Sequence, residues 1–355
     1  MDRKIYRNLL TERRKGCGMS NKKSVTLRDI AEKTGVSINT VSHALKDKPD
    51  ISVKTRERIK QVAQEMGYIG NASASFLRSG ISKTIAIILG DISNPHFSIM
   101  VREIETFIRE FGYTTFILNT EENEQNERQA IVSAVQKNVD GILWCPVQQS
   151  EDNLRFIRKT GVPFVLIGRR FPNRNVDYVV CDDANGGFVA ADYLIQQGHR
   201  EILFLNGPMH VSSAQERLLG YQGAYAKHGL DNPERLVYSG CARAGEASVL
   251  LEKALGDNLS ATAVLAFSDL IAWEAILTLN RMGLRVPEDI SVVGFDNIQS
   301  QFLFPVLLTS VSSSKSAMAK AAAQLLLNRI EDKGGDPQHI VIPTKLIIRE
   351  SVRRL

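Results

Sequence analysis

The chain has 355 residues, 43% of them apolar, which is more than one typical domain and enough to fill a sizeable core. Its 44 basic and 39 acidic side chains leave a net charge of +5, but residues 1–80 hold 17 basic against 8 acidic groups and the remainder 27 against 31. No apolar run approaches membrane-spanning length, so no membrane-spanning helix is expected. The four cysteines (Cys17, Cys145, Cys181, Cys241) lack any C-x-x-C spacing, so no metal site and no cofactor is expected, and reduced thiols in a cytoplasmic protein are.

Residues 1–23 are a basic extension without helical periodicity, and Ile5-Tyr6 with Leu9-Leu10 make too short an apolar core for a secretory signal. We expect translation to start at Met19, with a disordered basic arm as the alternative reading of residues 1–18.

Residues 24–69 read as three short helices. Thr26 and Asp29 form a Thr-x-x-Asp capping box for the first, and Gly35 permits a sharp turn. Ser37 caps the second helix, on which Val41 and Leu45 share one face and Asn39 and His43 another. The apolar face closes the motif and leaves the polar face free, the layout of a helix-turn-helix with a recognition helix for the major groove. A third helix starts at Ser52, carries Ile59, Val62, Ala63 and Met66, and stops at Gly67. The excess positive charge coincides with this segment, where phosphate contacts use it.

From residue 83 to 355, after a linking segment at 70–82, apolar strands alternate with amphipathic helices. Strands are predicted at Thr84–Leu89, Thr114–Leu118, Gly141–Cys145, Pro163–Ile167, Glu201–Leu205, Ala263–Phe267 and Ser291–Phe295. Helices are predicted near 97–111, 124–138, 151–160, 182–197, 214–228, 243–255 and 269–282. This α/β alternation implies parallel sheets covered on both faces, in two lobes with a cleft at the strands' C-terminal ends. At those ends lie Asp91, Asn94-Pro95-His96-Phe97, Arg169-Arg170, the loop from Gly207 to Arg217, Ser268-Asp269 and Asp296-Asn297. Carboxylates, amides, an arginine and an aromatic face suit a polar, hydroxyl-rich small molecule. Asp269 reads as a helix N-cap, whereas Asp296 and Arg217 read as ligand contacts.

Together these features make the chain resemble the LacI/GalR family of transcriptional regulators from about Thr26 to Ser351. The markers are T-L-R-D-I-A-E-K-T-G-V-S-I-N-T-V-S-H-A-L from Thr26, Gly67-Tyr68, D-I-S-N-P-H-F at 91–97, V-D-G-I-L at 139–143, Q-G-H-R-E-I at 197–202 and V-P-E-D-I-S-V-V-G-F-D at 286–296. The resemblance implies a helix-turn-helix DNA-binding domain joined by a hinge helix to a two-lobed, periplasmic-binding-protein-like body used for effector binding and dimerisation. It assigns Ile38, Asn39 and His43 to base edges and Thr26, Thr40 and Ser42 to the DNA backbone. Asn39 offers a bidentate amide to adenine, and His43 a donor to guanine. Asn71–Leu77 matches the family's hinge helix, with Leu77 as the minor-groove wedge; Gly70 replaces the frequent Pro and Ser75 the frequent Arg or Gln. Asp91, Phe97, Arg217, Ser268 and Asp296 match effector contacts, and Arg169, Val211, Ser213 and Leu265 match positions that vary with the ligand. Val211 and Leu265 stand where the purine-responsive branch has Arg and Phe, which favours a sugar or sugar derivative.

The expected assembly is a homodimer on a near-palindromic double-stranded operator, acting as a repressor under allosteric control by a small molecule. The chain ends after a β-like segment with no leucine heptad, which favours a dimer over a tetramer. An enzyme is disfavoured by the lack of G-x-G-x-x-G, Walker and G-x-S-x-G motifs, Ser312-x-x-Lys315 standing without its companion motifs. A transport solute-binding protein would need a signal peptide and no helix-turn-helix. A protein co-regulator docking on the N-terminal lobe is the remaining alternative to a small-molecule signal.

Overall fold

The computed structural model describes residues 25–70, 76, 80–231, 233–240, 245–257, 260–300, 307–331 and 334–355. They divide into two compact units, one up to Gly80 and one from Ile81. Asn71 and Leu77, with most of the expected hinge helix, the basic extension, Cys17 and Cys241, lie outside the described residues.

The first unit contains α1 (Leu27–Thr34), α2 (Ile38–Leu45) and α3 (Val53–Glu65). At its start, the Asp29 N–H donates to Thr26 Oγ1 (3.4 Å) and the Thr26 N–H to the Asp29 carboxylate (2.7 Å), a reciprocal capping box. Gly35 ends α1 at φ +69°, a left-handed position that a side chain resists. Ser37 and Ser52 cap α2 and α3 by accepting from the N–H groups of Thr40 (3.1 Å) and Thr55 (3.3 Å). Ile30, Ala31, Val41, Ala44, Ile59 and Ala63 form the buried core, with Val36, Leu45, Val62 and Met66 packed around it.

The second unit holds two six-stranded sheets. In chain order its elements are β1 (Thr84–Leu89), α4 (Pro95–Arg109), β2 (Thr114–Asn119), α5 (Glu124–Gln136), β3 (Gly141–Trp144), α6 (Asp152–Thr160), β4 (Phe164–Ile167), β5 (Tyr178–Cys181), α7 (Asp183–Gln196), β6 (Ile202–Asn206), α8 (Ser212–Lys227), β7 (Val237–Ser239), α9 (Glu246–Asp257), β8 (Ala263–Ala266), α10 (Asp269–Arg281), β9 (Ser291–Phe295), β10 (Thr309–Ser313), α11 (Lys315–Glu331), β11 (His339–Ile342) and β12 (Thr344–Ile347). The sheet orders are β11-β5-β4-β3-β1-β2 and β12-β10-β9-β8-β6-β7. Every pair is parallel except β10–β12, which the sequence did not indicate. The chain crosses between the sheets after β5, after β10 and between β11 and β12.

Helices cover both faces of each sheet, so the central strands are apolar throughout: Ile85–Leu89 and Ile202–Leu205 are all buried. One core runs under α4, α7, α8 and α11, and two flanking cores lie under α5–α6 and α9–α10. Helices α7 and α8 approach so closely that a Cβ on Gly187 would sit 2.2 Å from the carbonyl oxygen of Arg217, and one on Gly220 2.0 Å from that of Ala184. Among the described residues no helix is long and apolar enough to cross a membrane.

Candidate ligand cavity and nucleic-acid face

On α2, Ile38 and Asn39 are exposed and His43 and Thr40 are half-buried; Thr26, the N-cap of α1, is exposed. Ser42 is 9% exposed, the most buried of the expected contacts on this helix. Sequence reasoning missed a partner: His43 Nδ1 lies 2.6 Å from the Asp50 carboxylate. This contact holds the Asp50 carboxyl below the usual carboxylate range, chiefly through the hydrogen bond to His43. It also keeps the Nδ1 proton occupied and leaves Nε2 as the atom offered outward.

In the second unit a cavity of about 420 Å³ lies between the lobes, at the C-terminal ends of β1, β4, β8 and β9. Asp91, Phe97, Arg169, Arg217, Ser268 and Asp296, proposed from five separate stretches of sequence, all line it. Ser213 lines it too, while Val211 and Leu265 are buried and are not among its lining residues.

Each polar group is held by local chemistry. Asp91 accepts from the Ser93 N–H and hydroxyl (both 2.8 Å), a tight turn that brings Asn94 to the N-cap of α4 and Pro95 to its first position. Phe97 then presents its ring edge-on to His96, centroids 5.3 Å apart. Asp296 ends β9 at φ +105°, a strained conformation for a non-glycine residue, held by its N–H bond to Val311 O (2.8 Å) and by Lys315 Nζ donating to its carbonyl oxygen. His96 Nδ1 comes within 3.3 Å of Asp296 Oδ1, without the alignment of a hydrogen bond. Burial pushes the His96 imidazole down to about 4 despite the carboxylate of Asp296, so the ring is neutral at pH 7.

Arg217 is the most constrained group. Its Nε donates to Asp183 Oδ1 (2.7 Å), its Nη1 to the Phe267 carbonyl, and its guanidinium lies 3.5 Å from the Phe295 ring centroid. The glycines of α7 make this possible: Gly187 lets α8 approach, and a Cβ on Gly186 would stand 2.5 Å from the Phe295 ring. Burial pushes the Asp183 carboxyl up, and the Arg217 guanidinium at 2.7 Å opposes the shift.

Arg169 reaches the cavity as half of a pair. Its two terminal nitrogens donate to Glu122 Oε2 (2.8 Å) and Oε1 (2.9 Å), and one also to Pro146 O (3.0 Å). Burial alone would lower the Arg169 pKa; Glu122 raises it above the ordinary value. Glu122 was not anticipated. It stands at φ +52° after Glu121 at +54°, and its carboxylate fills the notch where a Cβ on Gly90 would lie 2.1 Å away. Beneath the neighbouring loop, buried Glu127 accepts from Trp144 Nε1 (2.9 Å), the Val147 N–H (2.6 Å) and Asn153 Nδ2 (2.7 Å), which fixes the chain after β3.

Asp269 is not the N-cap expected of it. Ser268 caps α10, accepting from the Ile271 N–H (3.3 Å), while Asp269 is buried and accepts from the Ser310 hydroxyl (2.5 Å) and the Ile298 N–H (2.8 Å). Burial pushes its carboxyl up to about 7. The lobes also touch directly: the Ser212 N–H donates to Gln148 Oε1 (3.0 Å), and Arg170 pairs with Glu216 (2.7 Å). Among the described residues no group of three or more His, Cys, Asp or Glu could hold a metal ion.

Comparison with known proteins agrees with both units. Residues 26–71 match the profile of bacterial regulatory proteins of the lacI family, and residues 191–352 a periplasmic binding protein-like domain. The HTH-type transcriptional repressor PurR of Aliivibrio salmonicida is 30% identical over 331 residues, covering 93% of this chain and 99% of that protein. A transcriptional regulator CelR–cellobiose complex is 28% identical, covers 92% of this chain and 99% of its own, and superposes with a TM-score of 0.70. A lac repressor dimer bound to operator and the anti-inducer ONPF shares the fold, with a TM-score of 0.81 at 22% identity over 93% of this chain and 100% of its own. With a helix-turn-helix unit, a two-lobed body enclosing a polar cavity, and relatives matched over nearly their whole length, the chain belongs to the LacI/GalR family of DNA-binding transcriptional regulators.

Proposed function

We propose that this regulator represses transcription as a homodimer on a near-palindromic operator, and that a sugar or sugar derivative in the interlobe cavity controls its DNA affinity. The observation that carries the ligand reading is the wall of the cavity. A fixed guanidinium (Arg217), two carboxylates (Asp91, Asp296) and the Ser268 hydroxyl converge beside the Phe97 ring. Paired acceptors and a rigid donor match vicinal hydroxyls, and an aromatic ring matches the C–H face of a pyranose. At about 420 Å³ the space falls within the usual range for small-molecule sites, roughly 300–1,000 Å³.

A solved relative, CelR, is a cellobiose complex, which supports the carbohydrate class. The PurR relatives do not carry their ligand over at 30% identity. Buried Val211 and Leu265 supply neither a guanidinium nor an aromatic ring there.

On the DNA side, Ile38, Asn39 and His43 read base edges, Thr26 and Thr40 contact the phosphate backbone, and Asn71 and Leu77 act in the hinge. Effector binding changes the lobe contacts made by His96–Asp296, Gln148–Ser212 and Arg170–Glu216, and through the dimer changes whether both hinges order together. Val249 on α9 and Leu277 and Met282 on or beside α10 remain exposed, as a dimer face requires.

A thermal-shift screen of mono- and disaccharides against the full chain tests the ligand class. A stabilising sugar whose effect is lost in Asp296→Ala supports it. A screen without hits would turn the reading towards a protein co-regulator.

A further inference from the structure

The wall of the interlobe cavity is acidic once its charges are paired off. Four carboxylates line it (Asp91, Glu121, Glu122 and Asp296) against two guanidiniums (Arg169 and Arg217). Neither guanidinium has charge to spare. Arg217 is committed to Asp183 at 2.7 Å, and Asp183 is not a lining residue, so Arg217 is neutralised without drawing on the cavity's own carboxylates. Arg169 is gripped by both oxygens of Glu122, at 2.8 and 2.9 Å, and also donates to Pro146 O.

Asp91 and Asp296 are not neutralised in this way. Asp91 accepts from the uncharged Ser93 N–H and hydroxyl. The Asp296 side chain is 9% exposed and has His96 beside it at 3.3 Å, a ring that is neutral at pH 7. Lys315 places its ammonium on the Asp296 carbonyl oxygen, not on the carboxylate, and does not line the cavity. An anionic ligand here would add like-charge repulsion in a site that water screens poorly. A sugar hydroxyl donates to such carboxylates without that cost, and a protonated amine also supplies the missing positive charge.

Glu122 sets the sign of this balance. A guanidinium is the side chain best shaped for a carboxylate or phosphate, because it offers two parallel donors. Glu122 already occupies both terminal nitrogens of Arg169, the two side chains being 14% and 11% exposed. The backbone holds it there, at φ +52° after Glu121 at +54°, with its carboxylate in the notch at Gly90.

We propose, resting on the carbohydrate reading of this cavity, that Glu122 determines ligand charge: it withholds Arg169 from anions. The cavity therefore takes uncharged or amine-bearing sugars and rejects sugar acids and sugar phosphates.

Calorimetric titration of the full chain at constant ionic strength tests this with glucose, glucosamine, glucuronate and the glucose phosphate esterified at the primary hydroxyl, and with the matching galactose set. In the set that binds, the neutral and amino forms should bind, and the uronate and phosphate at least about fivefold more weakly than the neutral parent. The uronate is nearly isosteric with its parent hexose, so its loss reads charge and not size. Glu122→Gln keeps the side chain's shape, removes its charge, and should cut that discrimination by about threefold or more by releasing Arg169. A uronate that binds the native chain within about fivefold of its parent overturns the proposal and leaves the carbohydrate reading intact, whether or not the variant folds. Discrimination unchanged in a Glu122→Gln chain of native-like melting temperature overturns it too. If no member of either set binds, the carbohydrate reading is refuted, and the role given to Glu122 with it.

Discussion

Removing the Asp183 carboxylate isolates the element that holds the ligand cavity in shape. Asp183 and Arg217 have side chains only 3% and 8% exposed and share one 2.7 Å charged hydrogen bond. Asp183→Ala leaves the Arg217 guanidinium buried with the Phe267 carbonyl and two aromatic rings but no counter-charge at Nε. Breaking one partner of a buried pair typically costs about 3–5 kcal/mol. For a unit of this size, each kcal/mol lowers the melting temperature by roughly 2–4 °C, so the expected drop is about 6–20 °C.

The same pair replaced together by apolar groups should cost much less, because no charge is stranded. Asp183→Ala/Arg217→Met is therefore expected to recover at least half the loss of the single Asp183→Ala variant. Differential scanning calorimetry of the three variants provides the numbers. A drop under about 2 °C for Asp183→Ala would refute the argument, as would a double variant no more stable than the single one.

Four further outcomes are expected. His96 has a folded-state pKa near 4 against 6.5 when exposed, so the unfolded chain binds the extra proton between those values. Its contribution is present in full above about pH 6.5 and is lost as pH falls towards 4. Allowing for its partial exposure it amounts to about 2 kcal/mol, and urea titrations of His96→Gln should show a correspondingly flatter pH profile. His43→Ala should cost about 1–3 kcal/mol of operator affinity and relax preference at one base pair per half-site. Asp50→Asn should relax the same base pair while changing the salt slope by less than about one, measured on single-base operator variants. Gly70→Pro, which restricts the chain before the hinge, should tighten operator binding at fixed salt; an unchanged or weaker affinity would refute that reading.

What the sequence made legible follows from the range of the interactions. The caps by Thr26, Ser37 and Ser52 and the break at Gly35 act within three or four residues, so the helix-turn-helix could be read locally. Strands β1 and β6 announce themselves as apolar runs. By contrast β10 reads Thr-Ser-Val-Ser-Ser, and β11 finds its partner β5 more than 150 residues away. Helix α11 buries residues around much of its circumference and shows no single apolar stripe, so it is missing from the predicted helices.

The same distinction governs the site. Asp91, Arg217 and Asp296 stand at strand or helix ends, where topology puts ligand-facing groups. Glu122 and Asp183 do not. One depends on two successive left-handed residues and the notch at Gly90, the other on the close approach of α7 and α8 through Gly187 and Gly220. Asp269 failed as a cap because Ser268 had already taken that position.

The central claim is that a sugar-class ligand in the interlobe cavity changes how tightly α2 holds DNA. Selection from random duplexes followed by fluorescence anisotropy, with and without the best-stabilising sugar from the thermal screen, tests it most directly. The account predicts a near-palindromic site whose affinity shifts by at least about fivefold with the sugar, a coupling of about 1 kcal/mol or more. It predicts that Asp296→Ala abolishes that shift while leaving sugar-free binding intact. A selected site without two-fold symmetry, or a sugar response that persists in Asp296→Ala, would contradict it.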